Sequence, residues 1–170
     1  MNLRTYIRDI PDFPKPGIIF KDITPLLKDP QALNETVRLL AKTAHGLSIT
    51  SVVGIESRGF IFGAAVAFKL GAGFIPIRKP GKLPAETVSE NYKLEYGTDT
   101  IEMHADALAG GERVLLIDDL LATGGTMEAA VKLVEKSGAR VVKVAFVIEL
   151  LFLNGREKLS GYDVVSLMTF

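Results

Sequence analysis

Residues 113–126 read Arg-Val-Leu-Leu-Ile-Asp-Asp-Leu-Leu-Ala-Thr-Gly-Gly-Thr. An apolar run ends in two adjacent carboxylates, and a short loop then leads into a glycine pair at the start of a predicted helix. In parallel α/β sheets, ligands bind beyond the carboxyl ends of the strands. Glycine lets the backbone approach a ligand closely, and the free N–H groups at a helix start bind anions. The stretch therefore predicts a phosphate-binding loop between a buried strand and a helix.

Outward from this stretch, strand patterns alternate with helix patterns. Short apolar, β-branched runs predict strands at Ser51–Ile55, Phe74–Ile77, Arg113–Ile117, Val141–Ile148 and Asp163–Met168. Helical periodicity predicts helices over Gly59–Leu70, over Thr126–Ser137 and from the Asp29-Pro30 cap to Gly46. Strand–helix–strand units of this size indicate a parallel sheet. The two apolar-rich helices, 59–70 and 126–137, are expected on its opposite faces.

Two segments do not follow the alternation. The proline-rich arm over residues 1–28 predicts irregular chain with at most short strand pieces, such as Ile18–Phe20. Residues 78–104 combine a polar loop with two alternating runs, which predicts a two-stranded ribbon and a flap. Long loops in compact domains are usually functional or disordered.

Composition limits the function classes. The 170 residues suit a single domain, 1–170. Lys and Arg number 20, as do Asp and Glu, so the net charge is zero, which argues against a general nucleic-acid binder. The absence of cysteine excludes disulfides and thiolate chemistry. A charged N-terminus and apolar runs shorter than about 18 residues predict no signal peptide, no membrane span and a cytoplasmic protein.

The acids and hydroxyls of the quoted stretch suit a phosphorylated sugar. Asp118 and Asp119 could accept hydrogen bonds from sugar hydroxyls, while Thr123 and Thr126 add hydroxyl donors near the phosphate. Alternatively, the acid pair is only a strand end and Thr123 only a helix cap. The combination of strand, paired acids, Thr-Gly-Gly-Thr and helix favours the ligand site.

The quoted stretch resembles the phosphoribosyl-pyrophosphate motif of the type I phosphoribosyltransferase family. Further segments resemble the adenine-using members of that family, and together they cover essentially the whole chain: Pro11–Pro25, Glu56–Phe60, Arg78–Pro84 and Leu94–Gly97. The resemblance implies an α/β fold with a central, mostly parallel sheet flanked by helices. It also implies an N-terminal hood (1–28) and a flexible flap (78–104).

The resemblance further implies an activity and its partners. Ribose 5-phosphate would pass from phosphoribosyl pyrophosphate to adenine, giving AMP and pyrophosphate, as in purine salvage. Mg²⁺ would bridge the substrate's own oxygens, with no dedicated protein ligand set. A homodimer is implied, with the Phe60–Phe62 neighbourhood at its interface, as is a cis peptide bond between Glu56 and Ser57.

Residue roles follow from the same resemblance. The 5′-phosphate would be held by Ala122, Thr123, Gly124, Gly125 and Thr126, and the ribose hydroxyls by Asp118 and Asp119. Arg58, with Ser57 beside it, would bind pyrophosphate, and Arg78, Lys79 and Lys82 would add positive charge from the flap. The residues expected to act in catalysis are Glu95, Asp119 and Arg58, with Tyr96 at the leaving group. Adenine would contact Ile19, Phe20 and Lys21, mainly through backbone groups and the Phe20 ring.

Plainer interpretations exist for several of these residues. Arg58 could be a salt-bridge partner, the 78–82 cluster a solvated turn, and Glu95 an ordinary ribbon charge. His45 and His104 are expected at the surface. The side chains expected in the core are Phe60, Phe62 and Phe68.

Other functions fit the sequence less well. A phosphoribosyltransferase for hypoxanthine, xanthine or orotate would not carry this hood. A DNA-binding regulator that senses phosphoribosyl pyrophosphate would need an added domain, for which the chain is too short. A P-loop nucleotidase would need a Walker A Lys and Ser/Thr, and Gly54–Phe60 has neither in place.

Overall fold

The computed structural model describes residues 1–94 and 97–170. Its strands are β1 (Arg8–Pro11), β2 (Ile19–Asp22), β3 (Ser51–Ile55), β4 (Gly73–Ile77), β5 (Thr87–Lys93), β6 (Thr98–His104), β7 (Arg113–Leu121), β8 (Arg140–Glu149) and β9 (Val164–Thr169). Its α-helices are α1 (Thr24–Lys28), α2 (Pro30–Thr43), α3 (Arg58–Leu70) and α4 (Gly125–Lys136). Short 3-10 helices cover Leu3–Tyr6, Leu151–Leu153 and Gly155–Leu159.

The central sheet has five parallel strands in the order β4-β3-β7-β8-β9. The predicted parallel sheet is therefore confirmed. The chain builds outward from β3 to β4 in one direction and from β7 to β9 in the other. The order therefore reverses between β3 and β7, and such a switch point opens a crevice at the carboxyl ends of the strands.

Two apolar cores lie on opposite faces of the sheet, as predicted from the helices. Alternate residues of β7 supply both cores, because side chains of a strand point to opposite faces. Val114 and Leu116 belong to the core that contains α4. Leu115 and Ile117 belong to the core that contains α3 and α2. Both faces of the sheet are thus covered, and the carboxyl ends of its strands remain available for a ligand.

Strand β7 is longer than predicted. It continues through both acids to Leu121, because Leu120 and Leu121 still pair with Ile148 and Glu149 of β8. The carboxylates therefore project from a strand held by neighbours and not from a mobile loop. That placement keeps their separation and direction constant.

The arm and the ribbon both have more structure than the sequence predicts. The arm forms an antiparallel pair, β1 with β2, followed by the short helix α1. Arg8 holds this pair with an Nη2–Oδ2 distance of 2.6 Å to Asp22. The predicted ribbon is β5 with β6, and its apolar side chains pack into the α4 core: Tyr92, Ile101 and Met103. One side of the ribbon is therefore part of the body of the fold.

Surface positions differ from expectation at one aromatic residue. Phe62 is buried, as predicted, and Phe60 is half-buried, but Phe68 is 92% exposed. The prediction for Phe68 was wrong, because an almost wholly apolar helix gives no periodic signal for its outer face. None of the helices in the described part of the chain has the length and apolar character needed to cross a membrane.

Candidate active site

The predicted phosphate loop lies between β7 and α4 and encloses a small cavity of about 70 Å³. Gly124 has φ +82°, a left-handed conformation that favours glycine, and a Cβ there would lie 2.3 Å from the carbonyl oxygen of Gly155. The cavity is lined by Asp118, Leu120, Leu121, Ala122, Thr123, Gly124, Gly125, Thr126, Met127 and Phe146. One acid and all five predicted phosphate-binding residues therefore surround one space at a helix N-terminus.

The paired acids differ in their partners. Asp118 is half-buried, and its Oδ1 accepts a hydrogen bond of 2.9 Å from the backbone N–H of Asp119. Asp119 is 5% exposed, and its Oδ2 lies 2.9 Å from Nε of Arg58 in an ion pair. The direction of that contact does not make a hydrogen bond, so Asp119 Oδ2 accepts none from any described residue. A buried acceptor without a donor is costly unless a ligand supplies one.

Burial changes the proton affinity of both acids. Removal from water, followed by the negative charge of Asp119, raises the pKa of Asp118 well above its usual value. Burial also raises the pKa of Asp119, but the Arg58 guanidinium opposes that rise. The pair therefore binds a proton more tightly than two exposed carboxylates would, and the Arg58 charge favours the ionised form of Asp119.

This proton affinity predicts a pH-dependent stability. The folded chain holds a proton on Asp118 more tightly than the unfolded chain, so stability falls as pH rises from the ordinary value of 3.8 through the raised folded value. Asp118→Asn removes this cost and is expected to stabilise the fold by about 1 kcal/mol at pH 8. The gain should disappear near pH 4. Urea unfolding at the two pH values, with exposed Asp106→Asn as control, measures it, and a less stable Asp118→Asn variant at pH 8 would contradict it.

Arg58 also connects the hood to the acids. Its Nη1 donates to the carbonyl oxygen of Lys21 at 3.3 Å, and its guanidinium carbon lies 5.0 Å from the centre of the Phe20 ring. The ring of Phe13 meets Phe20 edge-on at 5.2 Å. Arg58 is therefore both an ion-pair partner, as the plainer interpretation held, and part of the crevice.

The hood residues predicted to meet adenine present different groups. Ile19 is exposed, and Phe20 is half-buried beside Arg58. The side chain of Lys21 turns away from the acids, because its Nζ lies 2.7 Å from Oδ1 of Asp9 and 4.3 Å from the ring of Phe170. Only the backbone of Lys21 faces Arg58.

The cations at the start of the flap have protein partners. Nε of Arg78 lies 2.7 Å from Oε2 of Glu56, and the backbone N–H of Lys79 donates to Oε1 of Glu56 at 2.9 Å. Nζ of Lys79 contacts Asp99 and donates to the hydroxyl of Tyr92 at 2.9 Å. Lys82 has an exposed side chain. Arg78 and the backbone of Lys79 thus hold the start of the flap to Glu56 after β3, while the Lys79 ammonium is paired within the ribbon.

The segment before α3 adopts the expected backbone. The peptide bond between Glu56 and Ser57 is cis, as the resemblance implied. Ser57 is exposed immediately before Arg58, the first residue of α3. The two remaining predicted site residues, Glu95 and Tyr96, lie outside the described residues.

Sequence reasoning missed the chain that backs the phosphate loop. Gly155 touches Ala122 and Gly124 backbone to backbone. The only signal was the Asn154-Gly155 dipeptide after β8, which is typical of a turn and says nothing about what the turn contacts.

Comparison with known proteins places these features in a family. Residues 24–167 match the phosphoribosyl transferase domain family. The chain is 59% identical to adenine phosphoribosyltransferase of Carboxydothermus hydrogenoformans, over 100% of both chains. It is similar to the crystal structure of adenine phosphoribosyltransferase from Thermoanaerobacter pseudethanolicus, with a TM-score of 0.97 and 56% identity over 99% of this chain and 98% of that chain.

A more distant structure carries ligands. Adenine phosphoribosyltransferase from Trypanosoma brucei, in complex with AMP, pyrophosphate and ribose-5-phosphate, has a TM-score of 0.90 and 28% identity. That likeness covers 98% of this chain and 78% of the other.

Proposed function

The chain belongs to the phosphoribosyl transferase domain family, within its adenine phosphoribosyltransferases, and from that membership we propose how its residues divide the reaction. The chain forms AMP and pyrophosphate from adenine and phosphoribosyl pyrophosphate, a step of purine salvage. The observation that carries the assignment of roles is the cavity at the N-terminus of α4, which is lined by Asp118 and by all of residues 122–126.

The sugar phosphate is bound at the end of β7. The 5′-phosphate enters the cavity of residues 122–126, where helix N–H groups and threonine hydroxyls donate to it. Carboxylate oxygens of Asp118 and Asp119 then accept hydrogen bonds from the ribose hydroxyls, while Arg58 stays paired with Asp119. Anomeric substitution passes through an oxocarbenium-like state, and the negative charge of Asp119, which Arg58 favours, stabilises the developing positive charge.

Pyrophosphate leaves on the side of Arg58. The side chain of Arg58 is 30% exposed although its Nε contacts Asp119 and its Nη1 donates to Lys21, so its Nη2 can contact the leaving group. Lys82 of the flap adds a second cation there, and Glu95 and Tyr96 complete the closed site. The moving part of the flap is the loop over residues 80–86, because the ribbon that follows is packed against α4.

Mg²⁺ would accompany phosphoribosyl pyrophosphate. No group of three or more acidic or histidine side chains is arranged to hold a metal within residues 1–94 and 97–170. The oxygens of Asp118 and Asp119 suit an ion carried mainly by the substrate's own oxygens. When bound, the ion supplies charge neutralisation for the leaving pyrophosphate.

Adenine is selected by the hood. Backbone carbonyl and N–H groups of Ile19 and Lys21 can pair with the 6-amino edge, and a carbonyl that accepts from an amine repels the oxygen of hypoxanthine. Rejection by an unmatched buried hydrogen-bonding group reaches about 10⁴-fold. An assay that offers phosphoribosyl pyrophosphate and each nucleobase, with and without Mg²⁺, tests this choice. Efficient use of hypoxanthine would contradict backbone recognition.

The ring of Phe20 is expected to stack on the base. Phe20→Ala should raise the KM for adenine about tenfold or more, because stacking of a base on an aromatic side chain is worth about 1–3 kcal/mol. Affinity for the 5′-phosphate, measured with ribose 5-phosphate, should not change. Steady-state kinetics measure the effect, and Ile19→Val is the control, since the discriminating atoms at that position are in the backbone. An unchanged KM for adenine in Phe20→Ala would remove Phe20 from the base site.

A homodimer forms through the outer face of α3. Ile61 and Phe68 are 41% and 92% exposed, and they lie seven residues apart on one side of that helix. Ile61 and Phe68 therefore form the apolar contact between the subunits, since Phe62 is buried within its own chain. Phe68→Glu is expected to shift the protein toward monomer in sedimentation experiments, because a buried carboxylate would have no partner. The control is Phe152→Glu, a 72% exposed phenylalanine after β8, and a Phe68→Glu variant that stays dimeric would place the interface elsewhere.

A further inference from the structure

We infer that Gly155 and the Arg156–Glu149 ion pair position the phosphate loop, so that residues that do not line the phosphate cavity set the affinity for the 5′-phosphate. The inference rests on the proposed function only in assigning the 5′-phosphate to residues 122–126. It concerns the segment over residues 154–159, which the structure places behind that loop.

The contact between the two segments is made by backbone alone. A Cβ on Gly155 would lie 2.1 Å from the carbonyl oxygen of Ala122 and 3.0 Å from the backbone nitrogen of Gly124. The contact is reciprocal, because a Cβ on Gly124 would lie 2.3 Å from the carbonyl oxygen of Gly155. Backbone atoms cannot rotate aside as a flexible side chain can. A side chain at Gly155, or a shift of Gly155 toward the loop, therefore has to move the loop.

The neighbouring Arg156 ties Gly155 to the sheet. Nε of Arg156 donates to Oε1 of Glu149 at 2.9 Å, and its Nη2 contacts Oε2 of the same carboxylate. Its Nη1 donates to the carbonyl oxygen of Val164 at 2.7 Å, and the Ser166 hydroxyl donates to Oε2 of Glu149 at 2.7 Å. A two-pronged arginine–carboxylate pair fixes direction as well as distance.

Glu149 is well placed to transmit that constraint. It is 4% exposed at the carboxyl end of β8, opposite Leu121 of β7, the residue immediately before the phosphate loop. The backbone N–H of Leu150 also donates to the carbonyl oxygen of Leu121 at 2.9 Å. Leu121, just before the loop, and Glu149, the acid of the ion pair, therefore lie opposite each other on the paired strands β7 and β8.

The far end of the segment is anchored in the core. Leu159 is 1% exposed and belongs to the core of α4, the helix that begins at Gly125. The segment is thus held at Arg156, by the ion pair to β8, and at its end, by Leu159 in the core. A displacement of about 1 Å at a binding group can cost about a hundredfold, so small errors in this support should reach the phosphate.

The first test is Gly155→Ala, with Gly110→Ala as the matched control. A Cβ on Gly110 meets nothing closer than 4.0 Å, whereas one on Gly155 collides with the loop. Calorimetry with AMP and steady-state kinetics are the readouts. We expect AMP affinity to fall and the KM for phosphoribosyl pyrophosphate to rise, each about a hundredfold, with the KM for adenine unchanged. Wild-type AMP affinity in a folded Gly155→Ala variant would overturn the inference.

If Gly155→Ala does not fold, Arg156→Gln tests the same positioning role. Arg156→Gln leaves the backbone contact in place but removes its tie, so AMP affinity should fall about tenfold, less than for a direct displacement. Arg38→Gln is the control, because Arg38 forms a comparable two-pronged pair with Glu35 on the surface of α2. A lower melting temperature with wild-type AMP affinity would make the pair merely structural and would overturn the inference.

Thr126→Ala separates this inference from the site assignment. If Thr126→Ala weakens AMP binding and both Gly155→Ala and Arg156→Gln do not, the phosphate site stands and the positioning role fails. If none of the three variants affects AMP binding, the phosphate is bound elsewhere and the proposed site itself is wrong.

Discussion

Gly125→Leu is expected to weaken the binding of AMP and of phosphoribosyl pyrophosphate together, each at least about a hundredfold. A Cβ on Gly125 would already lie 3.3 Å from the carbonyl oxygen of Lys93 and 3.5 Å from the Tyr92 ring. The rest of a leucine side chain must then displace either the ribbon or the first turn of α4. Both ligands carry the same 5′-phosphate, so both should weaken by the same factor.

Calorimetry with AMP and the KM for phosphoribosyl pyrophosphate measure that loss. Gly110→Leu is the control, since Gly110 is exposed and a Cβ there would meet no atom closer than 4.0 Å. Circular dichroism and thermal unfolding establish that Gly125→Leu remains folded. If its affinity for AMP equals that of the unmodified protein, residues 122–126 do not hold the phosphate.

Asp119→Asn should lower kcat about 10²–10³-fold, the usual loss when one preorganised electrostatic group is removed from an active site. The substitution keeps the size of the side chain but removes the charge that pairs with Arg58 and stabilises the oxocarbenium-like state. It also replaces one acceptor oxygen with a donor, which cannot receive a ribose hydroxyl. The effect should appear in single-turnover rates, where product release does not contribute.

The exposed Asp106→Asn change serves as its control. A kcat within a few-fold of the unmodified enzyme would show that Asp119 does not act on the reacting sugar. A simultaneous loss of AMP affinity as large as that of Gly125→Leu would instead assign Asp119 to ground-state binding.

The acid pair also lowers the folding stability of the protein. Burial raises the pKa of both Asp118 and Asp119, and one Asp119 oxygen accepts no hydrogen bond from the described chain. Burial of the acid pair therefore lowers the stability of the folded protein at a site where a bound ligand can offset the loss. The expected stabilisation by Asp118→Asn at high pH and the expected loss of activity by Asp119→Asn have this common origin.

Much of the fold and the phosphate loop could be predicted from the sequence, because their signals are local. The apolar run of β7, the glycine pair and the periodicity of α4 follow one another within 24 residues, from Arg113 to Lys136. The cap of α2 is equally local. Asp29 is the N-cap residue, as predicted, and its carboxylate accepts hydrogen bonds from the N–H groups of Gln31 and Ala32. The resemblance of these motifs to a family then indicated the substrate.

Contacts between distant segments were decided only by the tertiary structure. Arg58 meets Asp119 because β3 and β7 are neighbours at the switch point. The carboxylate of Glu56 binds the Arg78 guanidinium and the backbone N–H of Lys79. In the sequence these two residues are only a pair of adjacent cations. Gly155 supports a loop more than 30 residues earlier, and the exposure of Phe68 depends on what covers an all-apolar helix. Local patterns specify which elements form, but which side chains meet depends on strand order and packing, because residues far apart in the chain become neighbours only in the folded sheet.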